Sequence, residues 1–186
     1  VPDMISQTER LSRLHELLSP ELAMLSVLIY GAGMLGSWTA HALARMVGSL
    51  VVWDGADQVE IENVGNQAYC EIDVGAYKGL ALQQGLFGLD VQVKSALFPD
   101  NDDLDDRHVD VVVACADSMA ARYDGALRCH SVGVPLFIDT RASGLDATII
   151  TVVPGEYLKY LHDLPKDSDL DGVPCGATGT AFVGMF

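Results

Sequence analysis

Polar side chains follow closely on the apolar run SLVVWD at residues 49–54. Asp54 ends the run, and the side chains behind it are, in order, Asp57, Asn63, Gln67 and Lys78. Carboxylate, amide and ammonium groups bind sugar hydroxyls, phosphates and metal ions. Their concentration just after a buried strand predicts a ligand site at the carboxyl end of that strand.

A glycine turn precedes this stretch. Gly31, Gly33 and Gly36 form G-x-G-x-x-G directly after the β-rich run SVLIY at 26–30, at the start of a helix. Such a turn can hold phosphate with backbone amides and the helix dipole, although glycines also serve close strand-to-helix packing. Asp54 follows at the spacing of an acid that accepts hydrogen bonds from ribose hydroxyls. A nucleotide with a free ribose is expected, and an NAD-dependent oxidoreductase and an ATP-using enzyme both remain open.

Strand and helix patterns alternate along the chain. Apolar β-rich runs predict strands at 26–30, 49–54, 91–97, 108–115, 134–140 and 146–155, and helical spacing predicts helices ending near Val47 and covering about 74–86 and 119–132. This alternation predicts an α/β, Rossmann-like, doubly wound sheet that is mainly parallel. The turn around Gly144 is too short for a helical crossover, so the last strand should return antiparallel.

The two ends differ from this pattern. A capping-box pattern at 6–9 predicts an N-terminal helix, and Ser19-Pro20-Glu21 predicts a second helix start. The composition from Pro154 to Thr178 predicts a long irregular loop. The expected organisation is an N-terminal helical segment at 1–25, a nucleotide-binding domain at 26–155, and a crossover loop with the start of a C-terminal helix at 156–186.

Composition narrows the class of protein. The chain has 186 residues, 49% of them apolar, and a formal net charge of −15. This charge repels nucleic acid and anionic lipid, so neither is expected as a partner. The four cysteines are scattered without a C-x-x-C pair, which argues against zinc and against disulfides. We expect a cytoplasmic protein with reduced thiols that forms a homodimer through part of its apolar surface.

Several ordered spacings together resemble one family. DGADQVEIENVGNQAYCEIDVGAYKG (54–79), GAGMLGS (31–37) and CADSMAAR (115–122) are similar to motifs of the ThiF/MoeB adenylyltransferases and ubiquitin-activating enzymes. VPLFIDTRASGLDATIITVVPG (134–155) resembles that family's fifth strand and return strand. The similarity covers about residues 26–155.

The resemblance implies a reaction and a site. The carboxyl terminus of a ubiquitin-like or sulfur-carrier protein or peptide would attack the α-phosphate of ATP and release pyrophosphate. Gly31, Gly33, Gly36 and Ser37 would lie against ATP, Asp54 and Asp57 would form the ribose side, Asn63, Gln67 and Lys78 would contact the triphosphate, and Asp117 would hold Mg²⁺. Positive charge is needed because both reactants are anions.

Asn66 departs from the family pattern, since it stands where the family has an arginine. Its amide brings neither charge nor a bidentate fork to the leaving pyrophosphate. Arg141 after the fifth strand, or Arg10 or Arg13 from a partner subunit, are candidate replacements. Arg122 is expected on a helix, paired with local carboxylates. Alternatively, the protein is an impaired member that binds nucleotide or a ubiquitin-like partner as a scaffold.

Cys175 is a candidate nucleophile. The resemblance implies that some members pass the activated carboxylate to a cysteine beyond the return strand, and Cys175 is the cysteine found there. A helix start at 177–180 would lower its pKa and favour the thiolate. A cysteine with only a packing role is the alternative.

Overall fold

A six-stranded mixed sheet forms the centre of the protein. The computed structural model describes residues 19–55, 57–95, 104, 108–143 and 146–166. The strands are β1 (Ser26–Tyr30), β2 (Ser49–Asp54), β3 (Val91–Ser95), β4 (Val111–Ala114), β5 (Leu136–Ser143) and β6 (Asp146–Val152). Their order is β3-β2-β1-β4-β5-β6, with every pair parallel except β5 and β6. The predicted Rossmann-like fold and its antiparallel return strand are confirmed.

Four α-helices of the described part of the chain lie along this sheet. They are α1 (Met34–Leu43), α2 (Lys78–Gly85), α3 (Met119–Val132) and α4 (Tyr157–Asp163). Short 3₁₀ helices cover Leu22–Met24, Ile61–Asn63 and Glu71–Asp73. Among the described residues, none of the helices has the length and apolar character required to span a membrane.

The central strands β1, β2 and β4 are apolar on both faces because helices cover both sides of this part of the sheet. Val27 and Ile29 of β1 pack in one core cluster, which includes Ala40 of α1. Leu28 points to the other side and packs in a second cluster, which includes Ala126 of α3. The alternation of successive side chains along β1 divides the core into these two layers.

Part of the predicted loop after Pro154 is helical, so that prediction was wrong for α4. Tyr157, Tyr160 and Leu161 recur at helical spacing and are buried. Tyr157 and Tyr160 both pack against the ring of Phe137 on β5. Burial of this aromatic face stabilises a short helix in a stretch whose Pro, Gly and Asp content favours a loop.

Smaller differences concern element ends and the cysteines. The helix that was predicted to begin near residue 74 begins at Lys78, and the helix predicted to end near Val47 ends at Leu43. Cys70, Cys115 and Cys129 are free, as expected. The predictions for Arg10, Arg13 and Cys175 fall outside the described residues.

Candidate functional site

The candidate site lies at the carboxyl edge of the sheet, where β1 has β2 on one side and β4 on the other. The Gly31 amide donates to the Trp53 carbonyl at 2.7 Å, and the Cys115 amide donates to the Tyr30 carbonyl at 2.8 Å. These bonds bring together the glycine turn, the end of β2 and the connection from β4 to α3. This is the topological switch point, the usual ligand position in open α/β sheets.

The three glycines of the turn have different surroundings. Gly31 has φ +97°, and a Cβ there would lie 3.0 Å from the Cys115 carbonyl oxygen. A Cβ on Gly36 would lie 1.7 Å from the Gly31 carbonyl oxygen, so this glycine permits the close approach of helix to turn. Gly33 has no heavy atom of the described residues within 4 Å of its would-be Cβ. Packing therefore accounts for two of the glycines, while Gly33 borders open space.

Asp54 presents an unused acceptor beside this turn. Its Oδ1 accepts from the Ala32 amide at 2.8 Å, and the residue is only 6% exposed. Its Oδ2 is buried and has no hydrogen-bond partner among the described residues. Burial raises the pKa of the carboxyl, against the opposing effects of the Ala32 bond and of Lys78. A buried carboxylate oxygen of this kind is suited to hydroxyl donors of a ligand.

Three hydrogen bonds fasten residues 57–78 onto the glycine turn and α1. The Tyr69 hydroxyl donates to the Ala32 carbonyl at 2.6 Å, and the Trp38 indole donates to the Asn66 carbonyl at 3.2 Å. The Ser37 hydroxyl accepts from the Ala68 amide at 3.0 Å. Ser37 is fully buried, and its hydroxyl is occupied by this hydrogen bond from Ala68. Sequence analysis did not predict the contacts of Tyr69 and Trp38, because neither spacing nor residue type indicates such long-range bonds.

The polar residues of this loop differ in what they contact. The Asn63 carboxamide accepts from the Glu60 amide at 2.9 Å and so caps the 3₁₀ helix Ile61–Asn63. The side-chain oxygens of Asn66 and Gln67 are buried without a hydrogen-bond partner among the described residues. These two adjacent amide oxygens are therefore available to accept hydrogen bonds from a ligand or from ordered water.

Lys78 stands at the start of α2 and faces the same region. Its Nζ lies 3.4 Å from Oδ2 of Asp57, and its side chain is 13% exposed whereas that of Asp57 is 72% exposed. Lys78 lowers the pKa of Asp54, so its charge lies near that carboxyl group. A lysine shielded from solvent on one side, with an exposed partner, can turn to a phosphate at small cost.

Asp117 is exposed in the connection between β4 and α3. The cap of α3 is its neighbour Ser118, whose hydroxyl accepts from the Ala121 amide at 3.2 Å. Asp117 contributes to raising the pKa of Tyr30, after burial and Asp124, and is a lesser influence on the pKa of Asp54. No group of three or more His, Cys, Asp or Glu that could hold a metal occurs in the described part of the chain. One carboxylate together with substrate phosphates is nevertheless a usual Mg²⁺ ligand set.

Arg122 and Arg141 are both held by Asp139 of β5. Arg122 lies on α3, as expected, but it pairs with Asp139 rather than with a carboxylate of its own helix. Arg141 donates from Nε to Asp139 Oδ2 at 2.7 Å, and the Tyr160 hydroxyl donates to the same oxygen at 2.9 Å. The predicted swing of Arg141 toward the phosphates would break this ion pair, so the structure does not support it.

A sequence model of the ThiF family matches residues 6–182. The chain belongs to the ThiF family. The N-terminal segment and the region of Cys175 fall within this match. The motifs at the carboxyl edge of the sheet are thus parts of a ThiF-family, Rossmann-like fold.

Solved structures share this fold. The structure of E. coli MccB with MccA-N7isoASN matches with a TM-score of 0.66 at 24% identity, over 79% of this chain and 48% of MccB. E. coli tRNA N6-threonylcarbamoyladenosine dehydratase, TcdA, matches with a TM-score of 0.63 at 20% identity, over 75% of this chain and 61% of TcdA. The chain therefore spans about half to three fifths of these neighbours, whose low identity establishes the fold alone.

Proposed function

We propose that this ThiF-family protein is an ATP-dependent adenylyltransferase. Its substrate would be the C-terminal carboxylate of a small protein or peptide, and pyrophosphate would be the leaving group. The observation that supports nucleotide binding most is Asp54, whose buried Oδ2 lacks a partner beside the glycine turn. Membership of the family favours this activity over an NAD-dependent oxidoreductase.

The nucleotide would lie at the carboxyl edge of the sheet. The ribose hydroxyls would donate to Asp54 Oδ2, since Oδ1 is already held by the Ala32 amide. The phosphates would approach Gly33, where the missing Cβ leaves open space at the start of α1. Helix α1 has ten residues and no acidic side chain in its first turn, so its positive N-terminus is available to an anion.

The chemistry requires positive charge on the phosphates. A carboxylate oxygen of the substrate forms a bond with the α-phosphorus, the bond to the bridging oxygen of the β-phosphate breaks, and pyrophosphate departs with that electron pair. Lys78 would neutralise charge on the phosphates, and the NH2 groups of Asn66 and Gln67 would donate hydrogen bonds to them. Asp117 would hold Mg²⁺, which when bound supplies Lewis-acid stabilisation of the same oxygens.

A polypeptide is the substrate class that we favour. The MccB neighbours include a complex with N-formylated MccA, at 24% identity to this chain. TcdA is named as a tRNA dehydratase, but a net charge of −15 opposes RNA binding by this protein. We therefore propose a protein or peptide carboxyl terminus rather than RNA.

A second candidate function is nucleotide or partner binding without turnover. It is favoured by Asn66, whose main chain holds the Trp38 indole and whose neutral side chain brings no charge to the site. Loss of a major stabilising donor for the leaving group costs on the order of 3 kcal/mol in activation free energy. If nothing compensates, the protein would turn ATP over roughly 10²-fold more slowly and would act mainly by binding it.

Pyrophosphate exchange into ATP tests the proposal. The protein is incubated with ATP, Mg²⁺, labelled pyrophosphate and candidate small proteins or peptides ending in a free carboxylate. We expect substrate-dependent exchange that is lost in Asp117→Asn and kept in Asp124→Asn, which changes an exposed carboxylate that pairs with Arg128 on α3. Full exchange in Asp117→Asn would refute the role of Asp117.

The same assay separates the two candidate functions. ATP binding by the parent protein without exchange for any carboxylate substrate would favour the binding-only candidate. Binding of NADH but not ATP would overturn both.

A further inference from the structure

Arg122 is a buried arginine directly beneath the loop that carries Asp117. The residue is 4% exposed, although it lies on a helix that begins at the carboxyl edge of the sheet. Its guanidinium pairs with Asp139, which is fully buried. We propose that Arg122 is the positioning residue that sets the Asp117 loop for phosphate and metal binding. This inference rests on the proposed ATP-binding function.

The hydrogen bonds of Arg122 converge on the ends of two strands. NH1 donates to the Ala114 carbonyl of β4 at 3.3 Å and to the Thr140 carbonyl of β5 at 2.8 Å. NH2 donates to the Ala116 carbonyl, two residues beyond the end of β4. One guanidinium thus joins β4, β5 and the residue that directly precedes Asp117.

An arginine is suited to this position by its geometry. Its planar fork offers several N–H donors in fixed directions, so it can satisfy three carbonyls and a carboxylate at once. A lysine keeps the charge but presents a single nitrogen that cannot reach β4, β5 and Ala116 together. The carboxylate of Asp139 neutralises the guanidinium, which makes its burial tolerable.

The residues on both sides of Asp117 are held by hydrogen bonds. Arg122 holds Ala116 on one side, and Ser118 begins α3 with its own cap on the other. Arg122 itself belongs to α3, so the helix that follows Asp117 also holds the residue that precedes it. Asp117 therefore has few backbone conformations, and a carboxylate that is held in place loses less entropy when it engages a metal ion and phosphates.

A purely structural role predicts something different. If Arg122 only stabilised the fold, its replacement would weaken every mode of ATP binding in proportion to the protein that unfolds. If it positions Asp117, its replacement should weaken the part of ATP binding that depends on Mg²⁺. ATP affinity in EDTA, held by the glycine turn and Asp54, should change little.

Calorimetric titration with ATP in Mg²⁺ and in EDTA measures this difference. The gain in affinity from Mg²⁺ is compared among the parent protein, Arg122→Lys and Arg128→Lys. Arg128 lies on the same helix, and its Nε is 3.0 Å from Asp124 in an exposed pair. We expect Arg122→Lys to reduce the gain about tenfold with affinity in EDTA within about twofold, and Arg128→Lys to leave both unchanged.

Coupling to Asp117 provides the second measurement. Asp117→Asn should lose the gain from Mg²⁺ by itself, and adding Arg122→Lys to it should have little further effect because both changes act on the same carboxylate. Amide hydrogen exchange of the segment 115–118 should be faster in Arg122→Lys than in Arg128→Lys, with or without nucleotide. If Arg122→Lys does not fold, Asp139→Asn should reduce the gain in the same direction by a smaller factor.

The outcomes are distinguishable. A parent protein that binds no ATP would overturn the proposed function and this role together. A parent that binds ATP, with the gain from Mg²⁺ equal in the parent and in Arg122→Lys, would overturn only the positioning role. Additive effects of the Arg122 and Asp117 replacements would do the same.

Discussion

Replacing Gly33 by alanine separates ligand binding from folding at the glycine turn. Gly33 has φ −72° and ψ −151°, a conformation open to alanine, and its Cβ would meet nothing within 4 Å among the described residues. The smaller entropy of the unfolded chain favours the variant by about 0.4–1 kcal/mol, and the poorer helix cap costs about 1 kcal/mol. The free energy of unfolding should therefore change by less than about 1 kcal/mol.

The effect on ATP should be larger, because the new methyl group would occupy the space that the phosphates approach. Losing one charge-assisted hydrogen bond from a backbone amide costs about 1.5–3 kcal/mol of binding free energy, so the dissociation constant for ATP should rise by roughly 10- to 100-fold. Calorimetric titration measures the affinity, and thermal unfolding without nucleotide measures the stability.

Gly36→Ala is the matched control within the same turn. Its Cβ would lie 1.7 Å from the Gly31 carbonyl oxygen, so the backbone must move. We expect a loss of about 3 kcal/mol or more and a fall in Tm of roughly 6 °C or more. Unchanged ATP affinity in Gly33→Ala would refute a nucleotide at the glycine turn, and an unchanged Tm in Gly36→Ala would refute the turn geometry.

Three further replacements test neighbouring contacts. Asp54→Asn should raise the Tm at neutral pH, because burial raises the pKa of this carboxyl and therefore penalises its charged form. The protonated carboxyl stabilises the fold below the ordinary carboxyl pKa, and this stabilisation is lost as pH rises through the raised pKa. Thermal unfolding across a pH series should show that the difference in Tm between the variant and the parent protein vanishes in acid. Tyr69→Phe should lower the free energy of unfolding by about 1–2 kcal/mol in denaturant titration, since it leaves the Ala32 carbonyl without its 2.6 Å bond. Asn66→Arg should increase pyrophosphate exchange, and no increase would show that the site does not lack a charge there.

The sheet could be predicted from sequence because its central strands are local apolar runs that helices cover on both faces. The antiparallel β6 followed from the length of one turn. Helix α4 could not be predicted, because its stability comes from Tyr157 and Tyr160 packing on Phe137, about 20 residues earlier in the chain.

The positions of candidate site residues could be predicted where strand and turn patterns set them. The hydrogen-bond partners of their side chains could not be predicted. The end of β2 and the glycine turn place Asp54 and Gly33 from local patterns alone. The bonds of Ser37 to Ala68 and of Arg122 to Asp139 join residues 31 and 17 positions apart, and no spacing rule gives them. The residue type predicted that Arg122 would pair with a carboxylate, but the identity of the partner, Asp139, depends on the tertiary fold.

The charge that Asn66 lacks limits where catalytic power can come from. Among the described residues near the site, Arg122 and Arg141 share the buried Asp139, and moving either would leave a buried carboxylate with fewer partners. Lys78 differs, because its partner Asp57 is exposed to water and the pair is weak. Among the described residues near the site, Lys78 is therefore the cationic side chain best able to stabilise the negative charge that would develop on the leaving pyrophosphate in the proposed reaction. In the proposed function, further charge would come from Mg²⁺ at Asp117 or from an arginine outside the described residues, such as Arg10 or Arg13. Without one of these, the same geometry would bind ATP through Asp54 and the glycine turn and would not turn it over.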